Sequence, residues 1–115
     1  MAEPRWRVRL GAAAELDFAN IIRWTTENFG PRQSRLYRDA IVQAIGELAN
    51  GPEVAGSKAR DDIMPGLRTV HVARRGRHLV LYRSVEGRTI EIGRILHDGM
   101  DLHRHLPFLT EQDDE

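Results

Sequence analysis

The sequence predicts an α+β fold in two layers, with the element order β-α-α-β-β-β and a helical hairpin packed on a mainly antiparallel sheet. Three observations predict it. Two stretches of helical apolar period are separated only by Gly30-Pro31. Three alternating stretches between Leu67 and Leu96 are joined by turns too short for anything but antiparallel pairing. One further alternating stretch precedes the helices. At 115 residues the chain is read as a single domain over 1–115, with 108–115 as a mobile acidic tail.

Each element has its own justification. From Arg5 to Leu10, Trp6, Val8 and Leu10 share one face and Arg5, Arg7 and Arg9 the other, which is a half-buried strand. Ala14, Phe18, Ile21, Ile22, Thr25 and Phe29 then recur at helical spacing, and this first helix is expected to run to about Asn28. Pro31 suits the first position of a second helix, where no amide donor is needed. Tyr37, Ile41, Ala44, Ile45 and Leu48 form its apolar stripe, and Asn50-Gly51-Pro52 ends it. The short connection makes the pair an αα-hairpin. Glu53 to Gly66 reads as a loop.

Three strands follow. The first, about Leu67 to Ala73, puts Val70 and Val72 on one face, and a tight Arg75-Gly76 turn follows it. The second, about His78 to Ser84, puts Leu79 and Leu81 on one face and Val80 and Tyr82 on the other. Glu86-Gly87 makes the next turn. The third, about Thr89 to Leu96, is expected to face Ile90, Ile92 and Leu96 together.

Composition excludes several classes. There is no cysteine, so disulfides and thiolate zinc sites are impossible, which fits a reducing compartment. No run of about 18 apolar residues and no signal-peptide core is present, so the expectation is a cytoplasmic protein without membrane partners. Formal net charge is zero but unevenly spread. Ile63 to His97 holds seven arginines against two acids, whereas Asp98 to Glu115 holds one arginine against six acids. No nucleophile elbow, P-loop or dinucleotide-binding glycine turn appears.

Candidate chemistry lies in the meander and just after it. Arg68 shares a face with Val70 and Val72, Arg83 with Leu79 and Leu81, and Arg94 with Ile90, Ile92 and Leu96. Three arginines on adjacent strands would make an anion site, because guanidinium forks match phosphate oxygens. Each could instead reach water or pair with Glu86 or Glu91. Arg74, Arg75 and Arg77 crowd the first hairpin turn, where positive charge can steer an acidic partner. His97, His103 and His105 lie near Asp98 and Asp101. His97 is a candidate acid or base, while metal ligation lacks an element to fix its geometry.

These residues carry a family resemblance. Trp6-Arg7-Val8-Arg9-Leu10, then Ala13-Ala14-Glu15-Leu16-Asp17 and the helix ending Trp24-Thr25, lead to Pro65-Gly66-Leu67-Arg68. Gly76 to Arg83 then matches a central strand, and Ile92-Gly93-Arg94-Ile95-Leu96-His97-Asp98-Gly99-Met100-Asp101 a closing strand and turn. In this order and spacing, over roughly residues 5 to 107, the chain resembles the ParE branch of the RelE/ParE toxin superfamily. Those proteins are the toxic halves of type II toxin–antitoxin systems.

The resemblance implies a growth-inhibiting toxin of the plasmid-maintenance kind, bound to a cognate antitoxin in a hetero-oligomer. ParE-like members inhibit DNA gyrase by binding. RelE-like members cleave mRNA on the ribosome, using basic residues and often a C-terminal Tyr or His. On the nuclease alternative the catalytic residues would be His97, Arg83 and Arg94. Two departures favour the gyrase reading: Glu53 to Asp62 holds only Lys58 and Arg60, and no tyrosine follows the last strand. The binding surface is then expected at Arg68, Arg77, Arg83, Arg94, His97, Asp98, Met100 and Asp101, with no catalytic residue, no cofactor and no metal.

Overall fold

The computed structural model describes residues 5–73 and 76–108. The expected Arg74-Arg75 part of the first turn and the acidic tail after Phe108 lie outside the described residues. Among the described residues, five strands and one interrupted helix make the two layers. Strand β1 is Arg7–Leu10, the helical segment α1 is Ala12–Glu47, and a 3-10 turn at Leu48–Asn50 follows. Then come β2 (Lys58–Ala59), β3 (Arg68–His71), β4 (His78–Val85), β5 (Thr89–His97) and a 3-10 turn at Leu102–Arg104. The sheet order is β1-β5-β4-β3-β2, antiparallel except for the parallel β1–β5 pair.

Helix α1 is a hairpin, as the sequence predicts. Gly30 stands at φ 88°, ψ 168°, inside what is otherwise continuous helix, and Pro31 follows it. A left-handed φ of this kind favours glycine, and proline starts the second arm with its φ already set. The arms meet: Ser34 Oγ lies 2.7 Å from Thr26 Oγ1 and donates to Ile22 O at 3.4 Å. In an unbroken helix residues 22 and 34 would stand about 18 Å apart. Buried Thr25 likewise donates to Ile21 O at 2.7 Å, so the polar groups between the arms are satisfied.

The main core lies between this hairpin and the sheet. Ala14, Ile21, Ile41, Ala44 and Leu48 from the helical side meet Val70, Val72, Val80, Tyr82, Ile90, Ile92 and Ile95. Trp6, Val8 and Leu10 pack against it, as the alternation of β1 requires. A smaller core covers the outer face: Met64, Leu67, Leu79, Leu81, Leu96 and Leu102, with Ile63 and Phe108 at its margin. Both faces of β4 are therefore covered, which is why Leu79-Val80-Leu81-Tyr82 is an unbroken buried apolar run. Burying each such side chain contributes roughly 1.5–3 kcal/mol before entropy is counted.

Three expectations need correction. Glu53 to Gly66 is not all loop, because Lys58–Ala59 pairs antiparallel with Thr69 and Arg68 and adds a fifth strand. Phe29 leaves the core stripe; it is 63% exposed and stacks edge-to-face on Trp24 with centroids 5.7 Å apart. Leu96 does not share a face with Ile90 and Ile92, because the β4–β5 register shifts between Leu81 and Tyr82. Leu81 opposes Arg94 while Tyr82 opposes Ile92, so Gly93 is an extra, bulged residue. The bulge sends Ile95 to the helical face and Leu96 to the outer face. It is a glycine because the chain returns over it: a Cβ there would sit 2.5 Å from Pro107 O and 2.6 Å from Pro107 Cβ.

Candidate functional site

The three strand arginines do not converge. Arg68 lies on the helical face opposite Tyr82, and its Nε donates to Ser57 Oγ at 2.8 Å. Arg83 lies on the outer face with Leu79 and Leu81. Its Nε and Nη2 donate to Glu91 Oε1 at 3.0 and 2.8 Å, and its guanidinium stands 4.0 Å from the Phe108 ring centroid. Glu91 also accepts from Arg9 Nη2 at 2.8 Å. Arg9, Glu91 and Arg83 are direct neighbours in register across β1, β5 and β4. Burial alone would push the Glu91 carboxyl up, but the Arg83 and Arg9 hydrogen bonds outweigh it and hold the group below its ordinary range.

Arg94 is committed elsewhere. Its Nε and Nη2 donate to the two carboxylate oxygens of Asp17 at 2.7 and 3.0 Å. Ile95 N also donates to Asp17 Oδ2 at 2.9 Å. β1 pairs with β5 only as far as Ile92, so Asp17 accepts a backbone donor that the next strand would otherwise have taken. The Asp17 hydrogen bond, against the cost of burial, holds the Arg94 guanidinium above its ordinary value.

The other end of β4 and β5 is open and polar. Asp98 is its hub. It accepts from Arg77 Nε at 3.1 Å and faces His71 Nε2 at 3.3 Å, while its own amide donates to Arg77 O at 2.7 Å. The Arg77 hydrogen bond, aided by His71 and opposed by desolvation, keeps the Asp98 carboxyl low. His97 Nδ1 accepts from Gly99 N at 3.0 Å, which leaves the proton of the neutral ring on Nε2. Its 3.8 Å approach to Asp98 is attractive only when the ring is charged. Met100 is exposed, and Asp101 caps the final 3-10 turn by accepting from His103 N at 3.1 Å.

Two further residues join this end that the sequence did not single out. His78 opposes His97 across β4–β5, their rings edge-to-face at 5.6 Å. Tyr37 OH lies 2.7 Å from His78 Nδ1. Burial, and then the neighbouring His97, push the His78 imidazole below its ordinary value, so it is neutral at pH 7. Burial also raises the Tyr37 phenol, with Asp98 adding to that and a backbone hydrogen bond from Arg77 opposing it. The bulge makes the histidine pair: if Gly93 paired in line instead of bulging, the register of Val85 with Thr89 would carry His78 opposite Leu96. A glycine inside an alternating strand was the available signal.

Beside the pair lies a groove of about 440 Å³, lined by Trp24, Phe29, Tyr37, Arg77, His78 and His97 among others. Among the described residues, no three His, Cys, Asp or Glu side chains are grouped to hold a metal ion. No helix among them is long and apolar enough to cross a membrane.

Comparison with known proteins agrees with this architecture. The family model described as the ParE toxin of type II toxin–antitoxin system, parDE, matches residues 8–102. Toxin ParE1 of Mycobacterium tuberculosis is 32% identical over 100 residues, covering 87% of this chain and 97% of that protein. Toxin ParE of Escherichia coli is 35% identical over 97 residues, covering 84% and 89%. Among solved structures, a chain of the chromosomal ParDE toxin–antitoxin system from P. aeruginosa superposes with a TM-score of 0.66 at 24% identity, covering 83% of this chain and 98% of that one.

Proposed function

Because the chain belongs to the ParE toxin family of type II toxin–antitoxin systems, we propose that it inhibits DNA gyrase by binding, without chemistry of its own. On this reading it acts in the cytoplasm, restrains growth and serves plasmid maintenance. A cognate antitoxin holds it inactive in a hetero-oligomer. The antitoxin would fold a segment onto the toxin, burying apolar surface as it orders.

One observation carries the binding mechanism. Arg83 and Arg94, the cations a phosphodiester-cleaving site would need beside His97, are each locked to a carboxylate, Glu91 and Asp17. A guanidinium paired in this way has fewer donors free for a phosphate, and breaking the pair strands a partly buried acid. Exposed Arg77, His97, Met100 and Asp101, with half-buried Asp98 among them, offer a mixed surface for docking instead. Arg68, Arg83 and Arg94 support that surface as scaffold rather than as contacts.

The test compares DNA supercoiling with mRNA integrity in one extract after the purified toxin is added. Loss of supercoiling with intact transcripts is the expected result. Codon-phased cuts with normal supercoiling would overturn the reading. His97→Ala should change inhibition by less than the orders of magnitude that loss of a general acid or base costs.

A further inference from the structure

We propose that residues 102–108 form a latch over the outer face of the sheet. The latch swings open from the 98–101 turn while the rest of the fold stays intact, and its closure holds Met100 and Asp101 in place. The value of that hold for docking rests on the function proposed above; the latch itself does not.

Two segments cover the outer face, and they are fastened differently. Residues 60–67 are tied by backbone: Arg60 N donates to Leu67 O at 2.8 Å, continuing the β2–β3 pairing, and Gly66 N donates to Asp61 Oδ1 at 2.9 Å. Residues 102–108 are not. Their backbone bonds are local, from Arg104 N to Asp101 O and from His105 N to Leu102 O. The ion pairs of His103 and Arg104 also go to Asp101. Among the described residues, the last backbone bond from this end of the chain to a distant segment is Asp98 N to Arg77 O. Beyond it the hold is apolar and aromatic. Leu102 is buried in one cluster with Leu79, Leu81 and Leu96, Phe108 packs at its margin, and the Phe108 ring centroid stands 4.0 Å from Arg83 Cζ. Such a cover leaves without breaking a ladder, and segments of this kind open before the whole fold does.

The sheet carries a seat for this strap. A Cβ at Gly93 would come within 2.5 Å of Pro107 O and 3.0 Å of Phe108 Cε1. Glycine weakens a strand interior, and here it marks where another backbone passes close. One flank of the strap stays unpacked, because Pro107 and Phe108 wall an open hollow of about 330 Å³ with Gly11, Ala12 and Ala13. The closed position is therefore specified from below and unrestrained from the side.

The turn depends on the strap. Met100 is exposed, and Asp101 caps the Leu102–Arg104 turn by accepting from His103 N. Both residues are thus suspended between the end of β5 and buried Leu102. When Leu102 leaves the outer core, only the β5 anchor remains.

The chain has no cysteine, so a single introduced thiol reports one place. Leu96→Cys puts it in the outer core and Val80→Cys in the core beneath the hairpin. Each full-length variant is labelled with a thiol reagent at rising urea below its unfolding transition. Val80→Cys should label with the full urea slope of its own unfolding. Leu96→Cys should label at least about a hundredfold faster than its own global unfolding allows, with a shallow slope. Adding Phe108→Ala or Gly93→Ala should speed Leu96→Cys labelling by about fivefold or more, and leave Val80→Cys tied to its own unfolding. Phe108→Ala should also shift or broaden the Met100 methyl signal in methionine-labelled NMR. A chain ending at Phe108 should label like the parent. Leu79→Cys, in the same cluster, replaces Leu96→Cys if that variant does not fold. The latch is overturned if the outer thiol labels only with the full urea slope, or if neither added substitution speeds it. It is equally overturned if Met100 is unmoved by Phe108→Ala, or if removing 109–115 speeds labelling as much as Phe108→Ala does. None of these outcomes depends on whether gyrase is the target.

Discussion

The two halves of β5 treat the same kinds of charged residue in opposite ways. On either side of the bulge, Glu91 and Arg94 sit in closed sets: Arg9–Glu91–Arg83 across three strands, and Asp17 with Arg94 and the Ile95 amide. After the bulge, His97 and Asp98 meet Arg77, His71 and His78 in a looser arrangement, with exposed aromatics alongside. The closed half is architecture, since every member is consumed by another member. The open half keeps donors in reserve, and that is what recognition needs.

The sharpest way to break the contrast is at Asp17. Asp17→Ala leaves a half-buried Arg94 without its carboxylate and the Ile95 amide without its acceptor. It should cost about 2–4 kcal/mol, read as a lower urea midpoint at unchanged slope. Asp17→Asn keeps an acceptor for the amide and should lose less.

Gly93→Ala should rank second, at about 1–3 kcal/mol, because its methyl collides with Pro107 rather than with a flexible side-chain tip. In a chain ending before Pro107 the same change should be nearly free. The two changes together should therefore cost less than their sum in thermal denaturation.

Glu91→Gln tests the outer ladder through pH. The folded carboxyl titrates below its ordinary value of 4.5, so its contribution is present above that pH and is lost as pH falls through the folded value. The parent should lose stability over that acid range by up to about 1 kcal/mol more than Glu91→Gln, measured as midpoints at successive pH values. Arg77→Gln in the open half should move stability by less than about 0.5 kcal/mol. A large loss there would erase the distinction between the halves.

Much of the closed half could be anticipated in outline and little in detail. The hairpin was legible because Gly30-Pro31 interrupts two strong apolar stripes, and the meander because its turns are short. The Asp17–Arg94 pair was not, since those residues are far apart in sequence and meet only because β1 stops short of Ile95. Strand β2 has two exposed residues and no alternation to betray it; it exists because Lys58 and Ala59 fall beside β3. Phe29 fits the helical period but lies at the far tip of its arm, past the edge of what the sheet covers, so periodicity placed it wrongly. In the open half, side-chain chemistry and the family resemblance together point to Arg77, His97 and Asp98. Their partners Tyr37 and His78 depended on a register that one inserted glycine decides.

The parallel pairing of β1 with β5 joins Arg7 to Thr89 and Leu10 to Ile92. About 80 residues must emerge from the ribosome after Arg7–Leu10 before that strand can find its neighbour in the sheet. Closing so long a loop is entropically slow, and contacts of such sequence separation delay folding. During synthesis β1 therefore waits without its strand partner, and the sheet closes only after β5 has been made.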